Sequence, residues 1–412
     1  MPRHAAHRRR WWHRPERWVP LLGLLVLGLV VGSAAIVIKE GPPLAATTTT
    51  TIGQLRVARG VPAPPTWPAI GQGAVTVDGV ASAAASPGQT PVPIGSITKV
   101  MTAVVVLNDH PLSLTDAGPS ITISPADVAV WRAELTTDQS NVPIAAGEVL
   151  SERQLLEGLL VHSGNDLAHL LARMDGGDET SFVAKMNAQA ATWGLSQTHY
   201  ADPSGFDPAT TSTAADQVVL GRHALRHPVI AATVAQRSTM MPVAGVETSY
   251  TPMVGTDGVV GIKSGLTTEA GGCDLLALDA RVEGHRVMIV SAVLGQRGAD
   301  RLAAAGSLAF GLASAQVGQF TRVEVASPQR VVGTVGWSGH QAALHVTRAA
   351  SVPAWPGSLV LAHLEVRSAA TTTIPAGTVV GWLVLRSGPI VTRTPVASSW
   401  TVHPPTLLER LT

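Results

Sequence analysis

The chain has 412 residues, 45% of them apolar and 14% charged, with a formal net charge of +1. It is long enough for two or three domains and can bury a sizeable core. Its near-neutral balance gives no electrostatic basis for a nucleic-acid partner, and its one cysteine, Cys273, excludes an intramolecular disulfide.

The basic residues that cluster lie at the N-terminus: Arg3, Arg8, Arg9, Arg10, Arg14 and Arg17 precede a charge-free run from Val19 to Ile38. Twenty apolar residues suffice to cross a bilayer as a helix, and the arginines orient residues 1–18 as a cytoplasmic tail with the rest outside. We expect a transmembrane anchor over residues 19–38. A cleaved signal peptide, for which Ser33-Ala34-Ala35 offers small residues, is the alternative. Either way the body of the protein is exported, to the cell-wall side of the membrane or beyond it. Residues 39–67, rich in Thr, Ala and Pro, read as an extended linker.

Residues 68–316 carry mixed patterns. The alternation of Gly73-Ala74-Val75-Thr76-Val77-Asp78 suggests an opening hairpin. A helix follows from Ser96 to about Leu107, with Val100, Val104 and Leu107 as its apolar stripe. Ser151-Glu152-Arg153-Gln154 is a capping box opening a helix with Leu155, Leu156, Leu159 and Leu160. Gly164 breaks that helix, and Asn165-Asp166 is suited to cap the next. Ala214 to Arg226 is helical. Val259–Lys263, Asp274–Arg281 and Arg286–Leu294 read as consecutive antiparallel strands, and Ala299–Leu312 as a closing helix. Cys273, in a strand, is expected to be a buried, inert thiol. From 317 to 398 short alternating runs (Arg322–Val325, Ala342–Val346, Leu359–Val366, Thr378–Leu385) read as a small all-β domain. Residues 399–412 are a tail too short for an amphipathic anchor. The 14 histidines show no zinc-type spacing, and no metal or cofactor is expected.

Ser96-Ile97-Thr98-Lys99 carries the strongest chemical signal. Residues three apart share a helix face, so the Lys99 amine can reach the Ser96 hydroxyl and activate it once desolvated. The chain has only four lysines (Lys39, Lys99, Lys185, Lys263) among 29 cations, and an arginine could not deprotonate in that role. A helix start also surrounds Ser96 with unpaired backbone N–H groups. Ser163-Gly164-Asn165 and Lys263-Ser264-Gly265 follow downstream. Serine and lysine, then a Ser/Asn pair, then a lysine with hydroxyl and glycine, form the constellation of penicillin-binding proteins and serine β-lactamases.

The surroundings narrow the match. Ile94 to Ala103 resembles the nucleophile helix of serine-type D-alanyl-D-alanine carboxypeptidases, the low-molecular-mass penicillin-binding proteins. Leu159 to Asp166, Met186-Asn187 through Leu195, Thr198 to Asp207 and Gly261 to Gly271 resemble their further motifs. Serine stands at 264 where that family more often has threonine, and Ile94-Gly95 replaces its usual Pro-Ala. The resemblance implies an α+β penicillin-binding fold, an antiparallel sheet with helices, holding the catalytic domain. It implies that Ser96 attacks the penultimate carbonyl of a peptide ending in D-Ala-D-Ala, with Lys99 as base. Ser163 would relay the proton and Asn165 would hold the substrate amide and Lys99. Lys263 and Ser264 would face the terminal carboxylate, with Thr267 and Arg297 as further contacts. Gly265 would admit the substrate backbone, and the N–H groups of Ser96 and Leu266 would form the oxyanion hole. Peptidoglycan stem peptides are the implied substrates and β-lactams the implied inhibitors. A β-lactamase is the rival enzyme, but no glutamate lies between Glu179 and Glu247 to deacylate it. A catalytically inactive wall-binding homologue is the reading from a different class.

Overall fold

Strand Gly271–Val282 is apolar on both faces: Cys273, Leu275 and Ala277 on one, Leu276, Leu278 and Ala280 on the other. Such a strand needs cover on each side, and the computed structural model supplies it. The structure describes residues 22–31, 47–50, 55–80, 82–337, 339–367 and 372–406. A five-stranded antiparallel sheet runs in the order Val259–Thr267, Gly271–Val282, His285–Gln296, Gln72–Val77, Ala84–Ala85. Leu275, Ala277, Val290 and Ala292 pack with helices Lys99–Asp109, Asn165–Gly176 and Ala214–Ala224 in one apolar cluster. Leu276, Leu278, Ile289 and Val293 pack with Ala305, Ala309 and Ala313 of helix Arg301–Val317 in a second. The three expected strands and the closing helix are present, each longer than its apolar run.

Helix Lys99–Asp109 is buried on every side from Lys99 to Leu107, not along one stripe. A helix apolar all round is a core helix, and it fixes the nucleophile region at the centre of the molecule.

Among the described residues from Thr321 onward every element is a strand. A seven-stranded antiparallel sheet has the order Thr47–Thr50, Val331–Trp337, His340–Val346, Ile390–Ser398, Val379–Ser387, Leu359–Val366, Leu55–Val57. Thr321–Ala326 pairs with Ala350–Ala354 beside it. Strands Val331–Trp337, Ala350–Ala354 and Ile390–Ser398 are additions to the expected set. Their buried residues belong to the same apolar cluster as the outer face of the five-stranded sheet.

One expectation changes here. Residues 39–67 are not linker throughout, because Thr47–Thr50 pairs with Gly333–Gly336 and Leu55–Val57 pairs with Leu359–Leu361, at opposite edges of the seven-stranded sheet. Open edges of N–H and C=O groups recruit a partner strand, and threonine suits an exposed strand without apolar alternation. Residues 22–31 are helical with exposed apolar side chains, but the remainder of the expected 19–38 span lies outside the described residues. Among the described residues no helix is long and apolar enough to cross a membrane.

Candidate active site

Ser96 lies in a 3-10 turn, Gly95–Thr98, that runs into helix Lys99–Asp109. The expected α-helix thus starts three residues late. Gly95 has φ +55, a conformation open chiefly to glycine, and Thr98 Oγ1 donates to Gly95 O at 2.8 Å. Glycine at 95 therefore answers a backbone requirement. The turn is gripped from two further sides. A Cβ on Gly265 would stand 2.5 Å from Ile94 O and 3.0 Å from Ser96 N, and one on Gly205 would strike Gly95 O and Thr98 Oγ1. Gly265 was expected to admit the substrate backbone. Its bare Cα also makes room for the enzyme's own nucleophile turn.

Lys99 is fully buried, and its Nζ is 2.8 Å from Ser96 Oγ, 2.5 Å from Asn165 Oδ1 and 3.0 Å from Ser204 O. Burial pushes its pKa well below the ordinary lysine value, the nearby Lys263 cation lowers it further, and Asp202, Asp166 and Glu134 oppose the shift. A neutral amine has two N–H donors and one lone pair. Asn165 Oδ1 and Ser204 O take the donors, which leaves the lone pair for the Ser96 proton.

Ser163 ends a single π turn, Gly158–His162, in the left-handed region at φ 74. For a residue with a side chain this conformation costs roughly 1–3 kcal/mol, and it aims the hydroxyl into the cleft. Asn165 was expected to cap helix Asn165–Gly176, but no side chain caps that helix. Its amide is used otherwise: Oδ1 faces Lys99, and Nδ2 donates to Gln139 Oε1 at 2.6 Å. Asp166 Oδ1 accepts from Val142 N, tying the Thr137–Ser140 wall to the same helix.

The loop after Tyr200 was singled out by sequence without a role. Asp202 Oδ2 accepts from Ser204 Oγ at 2.5 Å, Gly205 N at 2.8 Å and Phe206 N at 3.0 Å, while Oδ1 accepts from Thr210 Oγ1 at 2.6 Å. That knot presents Ser204 O to Lys99. With both oxygens engaged, Asp202 is not free to act as a deacylating base.

Lys263 is fully buried and donates to Ser264 O at 3.1 Å. Burial lowers its pKa to about 7, opposed by Asp274. Asp274 is fully buried too, its carboxyl raised well above the usual range by desolvation, with neither oxygen hydrogen-bonded. Lys263 thus lies behind the cleft wall, whereas Ser264, Leu266 and Thr267 lie on it. Ser264 Oγ donates to Tyr250 O at 3.0 Å.

A cleft of about 480 Å³ is lined by Ser96, Ser163, Asn165, Ser264, Leu266 and Thr267, with Thr137–Ser140, Gly205, Phe206, Tyr250, Thr268, Glu269, Arg301 and Leu302 completing it. Arg297 is absent from this lining. Its guanidinium donates to Thr268 O at 3.1 Å and Glu269 O at 3.0 Å, so it braces the turn after the strand, and the arginine on the wall is Arg301. Gln139, Ser204, Asp202 and Arg301 are the functional residues that sequence reading missed. Only Asp202-Pro203-Ser204-Gly205 left a signal, a run of turn-forming residues. His162, beside the second motif, is turned away toward Glu247 at 2.8 Å and the Tyr250 ring. Cys273 is buried and its thiol pushed up to about 12 by desolvation.

Residues 81–298, more than half of the chain, match the peptidase S11 family described as D-alanyl-D-alanine carboxypeptidase. The chain is 42% identical over 153 residues to the D-alanyl-D-alanine carboxypeptidase DacB2 of Mycobacterium tuberculosis, covering 36% of this chain and 48% of that protein. It spans about half the length of the curated relatives it matches. Among solved structures, the D-alanyl-D-alanine carboxypeptidase of Mycobacterium tuberculosis superposes with a TM-score of 0.51 at 30% identity, over 62% of this chain and 97% of that one. DacD of Francisella tularensis superposes with a TM-score of 0.55 over 85% of this chain and 97% of that one, at 19% identity, a likeness of fold.

Proposed function

The chain belongs to the D-alanyl-D-alanine carboxypeptidase family, and from that premise we propose that it removes the terminal D-alanine from peptidoglycan stem peptides through an acyl-enzyme on Ser96. One observation carries this reading: a fully buried lysine amine, its donors already engaged, 2.8 Å from a serine hydroxyl. As Ser96 Oγ attacks the penultimate D-Ala carbonyl carbon, its proton passes to Lys99 Nζ. The oxyanion forms between the backbone N–H groups of Ser96 and Leu266, which converge where the glycines pack: Leu266 N is 3.2 Å from a Cβ position on Gly95. Lys99 passes the proton taken from Ser96 on to Ser163, whose own hydroxyl proton goes to the departing D-alanine nitrogen as the C–N bond breaks, and Lys99 is left neutral again. Water then attacks the ester carbonyl, Lys99 accepts its proton, and Ser96 leaves reprotonated.

The terminal carboxylate sits beside Ser163 and Ser264, with the buried Lys263 cation supplying field from behind. A β-lactamase reading lacks a free carboxylate in the Asp202 loop, and nothing in the cleft favours an inactive scaffold. β-Lactams, which present a strained amide to the same serine, act as inhibitors. The charge-free run at 19–38 supports export with an N-terminal membrane anchor, and the strands from Thr321 support a spacing or recognition role outside catalysis.

The test combines a fluorescent penicillin with a D-alanine release assay on an N-acylated D-Ala-D-Ala peptide. We expect a Ser96 adduct in the wild type, none in Ser96→Ala, and D-alanine release that the same substitution abolishes. An adduct that persists in Ser96→Ala overturns the assignment.

A further inference from the structure

One helical turn after Asn165, and so on the same helix face, His169 stands between two carboxylates. Its Nε2 lies 3.4 Å from Glu134 Oε1 and its Nδ1 2.9 Å from Glu179 Oε2. Glu134 belongs to helix Pro125–Leu135 and Glu179 to helix Glu179–Thr192, so one imidazole joins three helices. A neutral imidazole has a single N–H and serves only one of the two acids, whereas the imidazolium serves both. Glu134 is buried, and its Oε2 has no hydrogen-bond partner among the described residues, a position that a carboxylate tolerates only beside a cation. The same residue anchors the cleft wall. Glu134 O accepts from Thr137 N at 3.1 Å, Thr137 Oγ1 at 2.9 Å and Gln139 N at 3.5 Å. Gln139 Oε1 in turn accepts from Asn165 Nδ2, and Asn165 Oδ1 faces Lys99. His169, Glu134, Gln139 and Asn165 thus close a ring of contacts that begins and ends on one helix, and the base touches its last member.

Acids surround that imidazole. Burial disfavours its cation, but Glu179, Glu134 and Asp202 outweigh burial and hold the His169 pKa above the ordinary imidazole value. Asp207 shares a groove with His169 and Asp202, while Asp127, Asp166 and Arg173 share a small cavity with it. Arg173 is already paired with Asp127, which leaves the charge opposite Glu134 to His169.

We propose that His169, as an imidazolium, is a positioning residue: by holding Glu134 it fixes the Thr137–Ser140 wall, and through Gln139 it keeps the Asn165 amide aimed at Lys99. This rests on Ser96 and Lys99 as nucleophile and base, and adds a control on how that base is held. When His169 loses its proton, one carboxylate loses its donor, the Gln139 segment loosens, and Ser96 is acylated more slowly. The folded chain binds the His169 proton more tightly than the unfolded chain does. The clamp therefore stabilises fully below the unfolded imidazole pKa of about 6.5, and its contribution is lost as pH rises through the higher folded value.

The test is the limiting acylation rate constant at saturating fluorescent penicillin, followed from about pH 5.5 to about pH 9. Titration of Lys263 is common to all the variants, so the comparison between them isolates His169. The wild-type rate constant should fall by about three- to tenfold as His169 deprotonates, the scale of one weakened hydrogen bond. His169→Gln should be slow at every pH, with that fall gone. His169→Arg, a cation across the whole range, should be fast at every pH, also without the fall. Glu134→Gln should match His169→Gln, and the double variant should be no slower than either single one. A merely structural defect would slow His169→Gln and His169→Arg alike and keep the fall in both. That result, a wild-type profile in His169→Gln, or single effects that add in the double variant overturns the proposal while leaving the nucleophile and base in place. If the wild type forms no penicillin adduct, the reading of Ser96 and Lys99 fails instead, and the clamp is judged by melting. The Tm difference between wild type and His169→Gln should be present at about pH 6 and gone at about pH 9, and a difference independent of pH overturns the clamp.

Discussion

Asn165 Oδ1 lies 2.5 Å from Lys99 Nζ, although 66 residues separate them. The contact fixes which way the lysine lone pair points, and Gln139 holds the other end of the same amide at 2.6 Å. Asn165→Ala should therefore slow penicillin acylation by about 10- to 100-fold, the equivalent of roughly 1.5–3 kcal/mol. Asn165→Asp tests the electrostatics: a carboxylate there favours the protonated lysine and raises its pKa. The acid limb of the acylation pH profile should move to higher pH. A limb that stays in place would show that Lys99 is not the titrating base.

Lys263 should shape the same profile twice. Its cation lowers the Lys99 pKa, so removing it lets the Lys99 pKa rise, and Lys263→Ala should also shift the acid limb upward. In the wild type Lys263 loses its proton near 7. Above that pH the field behind the terminal carboxylate fades and peptide KM should increase. Lys263→Ala should abolish this alkaline increase, checked by kcat/KM for a free-acid peptide and its amide between pH 5 and 9 (assay range chosen around about 7).

Gly265→Ala places a methyl 2.5 Å from Ile94 O. The turn carrying Ser96 must shift, because backbone and not a flexible side chain occupies the space. Overpacking of this kind costs about 1–3 kcal/mol, and displacement of the nucleophile should lower kcat by about a hundredfold or more. Thermal melting together with penicillin labelling separates the two effects. An active, stable Gly265→Ala would refute the packing account.

Asp202→Asn keeps the shape of the Ser204 loop but replaces a charged acceptor that serves Ser204 Oγ, Gly205 N, Phe206 N and Thr210 Oγ1. Loss of charge-assisted bonds should cost about 1.5–3 kcal/mol, read as a lowered Tm. Ser204 O should also drift from Lys99 and slow acylation. Unchanged Tm and acylation would mean the loop is held by other contacts.

Arg297→Gln should loosen the turn at Thr268 and Glu269 and weaken all peptides alike. Selective loss of the free-acid preference in Arg297→Gln would instead restore the carboxylate contact expected from sequence.

The sequence by itself determined the nucleophile and its base, because three residues of helical spacing suffice to join Ser96 and Lys99. It also determined the antiparallel strands around Cys273, where the side-chain period of two is unbroken. It did not anticipate that Arg297 braces the Thr268 and Glu269 carbonyls, that residues 47–50 and 55–57 pair as strands, or that Gly265 packs against the nucleophile turn. Each of those outcomes depends on a partner far along the chain: the Thr268 and Glu269 carbonyls, the open edges at Gly333–Gly336 and Leu359–Leu361, the Ile94 carbonyl. Local propensity cannot specify such contacts, since edge pairing and close backbone approach are fixed only when distant segments pack. The tertiary structure alone decided that Asn165, Gln139 and Ser204 O surround one amine. Burial of that amine, a property of the whole fold, is what makes the Ser96–Lys99 spacing chemically active.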